Sequence, residues 1–122
     1  MEFDPMKPIW VQVADRLKQQ IVTGAAPPGS KLPGSRDLAV QYGINPNTAA
    51  RIYRELEQEG VCATRRGTGT FVTEDTERIQ RLKEEMVRSS VARFIAELAG
   101  LGIRREDAAA WLQKEENAND HL

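Results

Sequence analysis

The chain has 122 residues, with 17 Lys+Arg against 18 Asp+Glu, one Cys and one His. That length fits one domain, or a small domain with an appendage. No stretch reaches the roughly 20 apolar residues of a membrane span, and residues 1–8 lack the basic-then-apolar layout of a signal peptide, so a cytoplasmic chain is expected. Cys62 has no second cysteine to pair with and His121 is the one imidazole, which removes the usual metal-ligand sets and thiol dyads; no cofactor is expected.

Apolar residues make up 40% of the chain and charged residues 29%, the balance of a folded, helix-rich protein. The net charge of -1 hides a mild asymmetry. Residues 1–73 carry an excess of basic side chains (Lys7, Arg16, Lys18, Lys31, Arg36, Arg51, Arg54, Arg65 and Arg66), whereas residues 74–122 are acidic on balance.

Trp10, Val13, Ala14, Leu17 and Ile21 share one face of a predicted helix over 9–22. Gly24, Pro27, Pro28, Gly29, Pro33 and Gly34 then break all periodicity, so 23–34 is read as a loop in which Lys31-Leu32 forms at most a scrap of edge strand. Ser35 offers an N-cap for a two-turn helix bearing Leu38, Ala39 and Tyr42 and stopped by Gly43. Asn45 is the next N-cap, with Pro46 at the first helical position. Ala49, Ile52, Tyr53 and Leu56 follow on one face, and Gly60 ends the element. Two short helices around Gly43-Ile44-Asn45 have the lengths of a helix-turn-helix. Strands over 61–64 and 70–72, joined by Arg65-Arg66-Gly67-Thr68-Gly69, form a β-hairpin with a basic tip.

From the cap candidate Asp75, an apolar stripe of Ile79, Leu82, Met86, Val87, Phe94, Ile95 and Leu98 runs to Ala99 before Gly100-Leu101-Gly102 breaks it. A last helix is predicted over 103–116, with Ala108, Trp111 and Leu112 inward, and 117–122 as a frayed tail. Arg104 caps that helix poorly, because a cation there opposes the helix dipole. The fold class is mainly α with a small β-hairpin: a winged helix-turn-helix domain over 1–73 plus two C-terminal helices over 74–122.

On the second helix of the helix-turn-helix, Asn47, Arg51, Arg54 and Gln58 point away from the apolar face. Arg can chelate guanine O6/N7 and Asn can bridge adenine N6/N7, so this face suits a DNA major groove. The competing reading is a solvated helix face. At the hairpin tip, Arg65 and Arg66 beside glycines suit a phosphate or a minor groove, against the plainer reading of a surface turn. No Ser/His/Asp, Cys/His, phosphate-loop or paired-carboxylate arrangement appears, which argues against an enzyme. Cys62 reads as a small buried hydrophobe and Trp10 as packing under the wing.

These motifs carry a family resemblance. Pro28-Gly29-Ser30-Lys31-Leu32-Pro33, Ser35-Arg36-Asp37-Leu38-Ala39, Asn45-Pro46-Asn47-Thr48 and Gly67-Thr68-Gly69-Thr70-Phe71-Val72 resemble the winged-helix DNA-binding domain of the GntR family of bacterial transcription regulators. The two-helix remainder is similar to the dimerisation segment of the YtrA subfamily, without the separate effector domain of longer members. The resemblance implies that Ser35 and Arg36 open the second helix against DNA, that Asn47, Thr48 and Arg51 occupy recognition positions, and that Arg66, Gly67 and Thr68 form the wing tip. Pro46 and Ala50 stand where many members carry polar side chains, which narrows base readout to Asn47 and Arg51. Gly34 replaces the usual Ser before the second helix. By resemblance the chain represses its own operon, often one encoding an ABC transporter. A winged-helix interaction module with no DNA role is the rival reading.

Some 49 residues folded as two helices bury little alone, so another surface must cover the stripe. A two-fold partner making a homodimer through Ile79, Leu82, Met86, Phe94, Ile95, Leu98, Trp111 and Leu112 is the expectation, and it would match a palindromic operator in double-stranded DNA. A small-molecule effector would need about 300–1,000 Å³, which such helices enclose only at a dimer interface; Met86, Phe94 and Trp111 are its candidate lining, unless they are simply core.

Overall fold

The structure, a computed structural model, describes residues 3–119. Five α-helices and a two-stranded antiparallel sheet follow in the order α1 (Ile9–Val22), α2 (Ser35–Tyr42), α3 (Pro46–Gln58), β1 (Cys62–Arg65), β2 (Gly69–Val72), α4 (Thr76–Gly100) and α5 (Ala108–Asn119), with a 3-10 turn over Arg105–Asp107 leading into α5. The chain divides into two compact units, the first ending at Lys83 and the second beginning at Glu84, a boundary inside α4.

The first unit has a closed core. Val13, Leu17 and Ile21 of α1, Leu38 of α2, Ala49, Ile52 and Leu56 of α3, Val61 and Val72 are all at most 2% exposed. At about 25 cal/mol per Å² of apolar surface removed from water, each large side chain among them contributes roughly 1.5–3 kcal/mol to holding the helices together. Leu82, on the first turns of α4, is buried in the same unit.

The turn between α2 and α3 is fixed by its termini. Gly43 lies at φ +66, a left-handed conformation that side chains rarely adopt, and Ile44 N–H then reaches back to the Ala39 carbonyl at 2.9 Å. Two residues later Asn45 accepts from Asn47 N–H at 2.7 Å, with Pro46 starting the helix. The chain thus leaves one helix and enters the next within three residues. At the start of α2 the cap position is held by Gly34, which has no side chain to offer; Ser35 is the first helical residue and caps nothing, contrary to the sequence expectation.

In the hairpin Cys62 pairs with Val72, Ala63 with Phe71, Thr64 with Thr70 and Arg65 with Gly69. Arg65 and Gly69 therefore belong to the strands, and the five-residue turn expected from the sequence contracts to Arg66-Gly67-Thr68. The glycine-rich loop lies along β2 as a third edge. Leu32 N–H donates to the Thr70 carbonyl at 2.8 Å, Val72 N–H to the Ser30 carbonyl at 2.8 Å, and Lys31 bridges Phe71.

Asp75 caps α4 as expected, its Oδ1 accepting from Arg78 N–H at 3.1 Å. Gly102 at φ +81 ends the turn after that helix. The last helix departs from its expected bounds. Its start is a 3-10 turn that no side chain caps, and helix continues through Asn117–Asn119, which were expected to fray; residues 120–122, including His121, lie outside the described residues. From Glu84 to Ala118 no side chain is buried. Trp111 and Leu112, expected inward, are 44% and 61% exposed, because the second unit offers nothing to cover them.

Candidate nucleic-acid interface

Helical geometry places Ala49, Ile52, Tyr53 and Leu56 against the core, so Asn47, Arg51, Arg54 and Gln58 are left on the outer face of α3, all exposed. Three contacts hold this helix in place. The Tyr53 hydroxyl donates to the Pro33 carbonyl in the segment that enters α2, Thr64 of β1 donates to the Glu57 carboxylate, and Lys18 of α1 pairs with Glu59 at 3.2 Å. The recognition face is therefore carried on an element tied to all its neighbours.

Arg36 lies exposed on the first turn of α2 and lines a shallow surface groove with Ala39, Val40, Ile44 and Pro46, which sets it beside the N-terminus of α3. Ser35 and Thr48 are half-buried. On the wing, Arg66, Gly67 and Thr68 form the exposed tip, and Thr68 N–H closes the turn on the Arg65 carbonyl at 2.9 Å. Among the described residues Arg36, Arg54 and Arg66 have no acidic partner, whereas Arg51 pairs with Glu55 (Nε to Oε1, 3.4 Å). Arg65 is drawn back over the Phe71 ring, 4.7 Å from its centroid.

Sequence reasoning missed two contributors. Lys31, expected with Leu32 as a scrap of edge strand but not as a DNA-facing cation, pairs with Phe71 and is carried onto the wing; its Cε would lie 2.8 Å from any Cβ added at Gly69, so its chain runs across that glycine. Trp10, expected under the wing, instead stands against α3 with the Arg51 guanidinium 4.6 Å from its ring centroid. Trp10 shares the face of Val13, Ala14, Leu17 and Ile21, so helical spacing alone carried no signal that it would meet Arg51. Cys62 is buried as expected. Burial pushes its thiol up to about 12, with Glu57 and Glu59 adding to the shift, and Tyr53 is pushed up chiefly by burial.

The pattern of bacterial regulatory proteins of the gntR family matches residues 10–72, the stretch from Trp10 to the last residue of β2. The chain belongs to the gntR family. It is 39% identical over 106 residues to the HTH-type transcriptional regulator YhcF of Bacillus subtilis, covering 87% of this chain and 88% of that one. It is 32% identical over 117 residues to the HTH-type transcriptional repressor YtrA of the same organism, covering 93% and 90%. Among solved structures, a GntR family transcriptional regulator from Listeria monocytogenes superimposes with a TM-score of 0.84 at 40% identity, covering 92% of this chain and 98% of that chain. A structure of AraR(DBD) in complex with operator ORX1 has a TM-score of 0.56 at 27% identity, covering 60% of this chain and 93% of that chain. This gntR member is thus a YtrA-like transcriptional regulator with a winged-helix DNA-binding domain, not an enzyme. Among its described residues no helix is long and apolar enough to cross a membrane.

Leu82, expected in a dimer contact, is 2% exposed in the single chain and so presents nothing to a partner. The second unit carries an open groove of about 440 Å³ lined by Val87, Arg88, Val91, Ala92, Ile95, Ala96 and Arg105. None of the expected effector-lining residues, Met86, Phe94 and Trp111, lies in it.

Proposed function

We propose that this regulator is a homodimeric repressor that binds a palindromic operator at its own operon and occludes the promoter. The observation that carries this is the outer face of α3: Asn47, Arg51 and Arg54 exposed on a helix whose opposite face is the core, with Arg36 at its N-terminus. In this reading Asn47 and Arg51 contact base edges, Thr48 supports them, and Ser35, Arg36, Arg54, Arg65 and Arg66 bind phosphates while Gly67 and Thr68 let the wing approach the flanking groove. Lys31 adds a cation to the wing. The repressor sign follows the relative named as a repressor.

The homodimer rests on the second unit. Its apolar side chains Val87, Val91, Leu101, Trp111 and Leu112 are 44–77% exposed in one chain, an arrangement that a two-fold copy would close. The contact extends over Met86, Phe94, Ile95 and Leu98, with half-buried Ile79 at its edge; residues 1–73 then serve DNA and 74–122 assembly. A dimer sets two recognition helices about 34–36 Å apart, one helical turn of DNA.

Fluorescence anisotropy against the upstream region of the gene and against scrambled DNA, from about 50 to 200 mM salt, tests the proposal. Selective binding that falls steeply with salt is expected. Equal affinity for both duplexes overturns operator recognition, and a salt-independent affinity overturns the phosphate contacts.

A further inference from the structure

α1 contributes no residue to the DNA face just described, yet its first turn reaches that face. Trp10 is half-buried in a groove between α1 and α3 that it lines with Val11, Ala14, Lys18, Leu56 and Glu59. The Lys18–Glu59 ion pair joins α1 to the C-terminal cap of α3, beside the indole. The guanidinium carbon of Arg51 lies over the ring, 4.6 Å from its centroid. One turn along α3, Glu55 accepts from Arg51 Nε at 3.4 Å.

These two restraints engage one face of the guanidinium and one of its nitrogens. The side chain remains 54% exposed, and among the described residues neither Nη atom bonds to protein. The Nη edge is what a guanine O6/N7 pair, or two phosphate oxygens, would take from an arginine. A free arginine on a helix surface samples many rotamers and loses that freedom on binding; an indole under one face and a carboxylate on Nε remove much of it beforehand. Carboxylate pairing alone, on an exposed i, i+4 pair, is a weak restraint, so the aromatic platform carries most of the effect.

We infer that Trp10 is a positioning residue for DNA recognition, holding Arg51 with its Nη edge presented to the bases although the indole itself does not touch DNA. The inference rests on the DNA reading of α3. It assigns part of sequence selectivity to α1, through a side chain on the core side of the interface.

The test compares affinity for the gene's upstream duplex with affinity for scrambled DNA, across Trp10→Leu, Trp10→Phe, Arg51→Ala and the Trp10→Leu/Arg51→Ala double variant. Trp10→Leu keeps apolar bulk and removes the aromatic face, and it is expected to lower the selectivity ratio about three- to tenfold, the scale of a partly desolvated cation–π contact. Trp10→Phe keeps a ring and is expected to retain most of the ratio. The double variant is expected to lose no more selectivity than Arg51→Ala alone. Loss of folded protein would weaken both duplexes equally and leave the ratio unmoved, so a merely structural role is distinguishable. In a Trp111→Phe background Trp10 is the remaining tryptophan, and Arg51→Ala is expected to shift its emission without DNA. An unchanged emission, an unchanged or raised ratio in Trp10→Leu, or losses that add in the double variant would each overturn the inference. A wild type that fails to distinguish the duplexes overturns the DNA reading itself; selectivity lost in Arg51→Ala but kept in Trp10→Leu overturns the positioning role alone.

Discussion

Arg51 and Arg66 are both exposed cations, but their surroundings assign them different work. Arg51 is held on a helix face at fixed height and angle, whereas Arg66 stands at a three-residue turn with no acidic partner among the described residues. Arg51→Ala is therefore expected to cost about 1–3 kcal/mol on the preferred site and little on scrambled DNA. Arg66→Ala is expected to weaken both alike and to reduce the salt slope by about one. Anisotropy titrations on both duplexes separate them, and equal losses for Arg51→Ala would refute its base contact. Cys62 governs a different property. Its thiol is raised from 9.0 to about 12 in the folded chain, so the stabilisation is complete below pH 9 and is lost as pH climbs towards 12, where the unfolded thiol has ionised and the folded one has not. Stability is expected to fall by about 1.4 kcal/mol per pH unit from this group, and Cys62→Ala is expected to flatten that decline in urea melts between about pH 9 and 11. Tyr53 adds a fall of the same sign.

Among the elements, α3 depends most on its first turn, because Asn47 belongs both to the cap and to the DNA face. The Asn45 side chain accepts from the Asn47 amide at 2.7 Å, satisfying a donor that the helix cannot. Asn45→Ala is expected to cost about 1 kcal/mol, or about 4–8 °C in Tm for a unit of this size, and Asn45→Asp, which keeps the acceptor, is expected to recover most of it. This cap was legible in the sequence because Asn-Pro-Asn states it locally. The start of α2 was not: Ser35 is a good capping residue type, but the turn geometry puts Gly34 in the cap position and Ser35 one step into the helix. The wing shows the same division. Its two strands were visible as runs of β-formers and Lys31-Leu32 as a scrap of edge strand, while the partner of that edge was set only by β2, which presents free hydrogen-bonding groups to Ser30 and Leu32.

At the scale of the whole molecule, the two units differ in how far one chain can finish them. The first has a core of nearly unexposed side chains and is complete; the second has no buried side chain from Glu84 to Ala118. Val91 and Leu112, 49% and 61% exposed, are free to change without disturbing any core of the chain itself. Val91→Glu and Leu112→Glu are accordingly expected to leave the melting of the first unit unchanged while converting dimer to monomer in sedimentation velocity, and to abolish tight binding to a palindrome while sparing the weaker binding to a half-site. Dimers that persist in both variants would place the interface elsewhere.

Periodicity and capping residues by themselves determined the helices, the hairpin and the outer polar face of α3, since each is written in neighbours a few residues apart. The family's motifs likewise lie in short runs between Trp10 and Val72. What only the tertiary structure decided is which side chains meet across elements. Leu82 falls in the first unit's core although it shares a stripe with exposed Val87, because a helical stripe records apolar character and not what covers it. Lys31 reaches the wing, and Trp10 meets Arg51 across 41 positions of sequence, because packing α1 on α3 and pairing the glycine-rich loop with β2 set distances that no local pattern encodes.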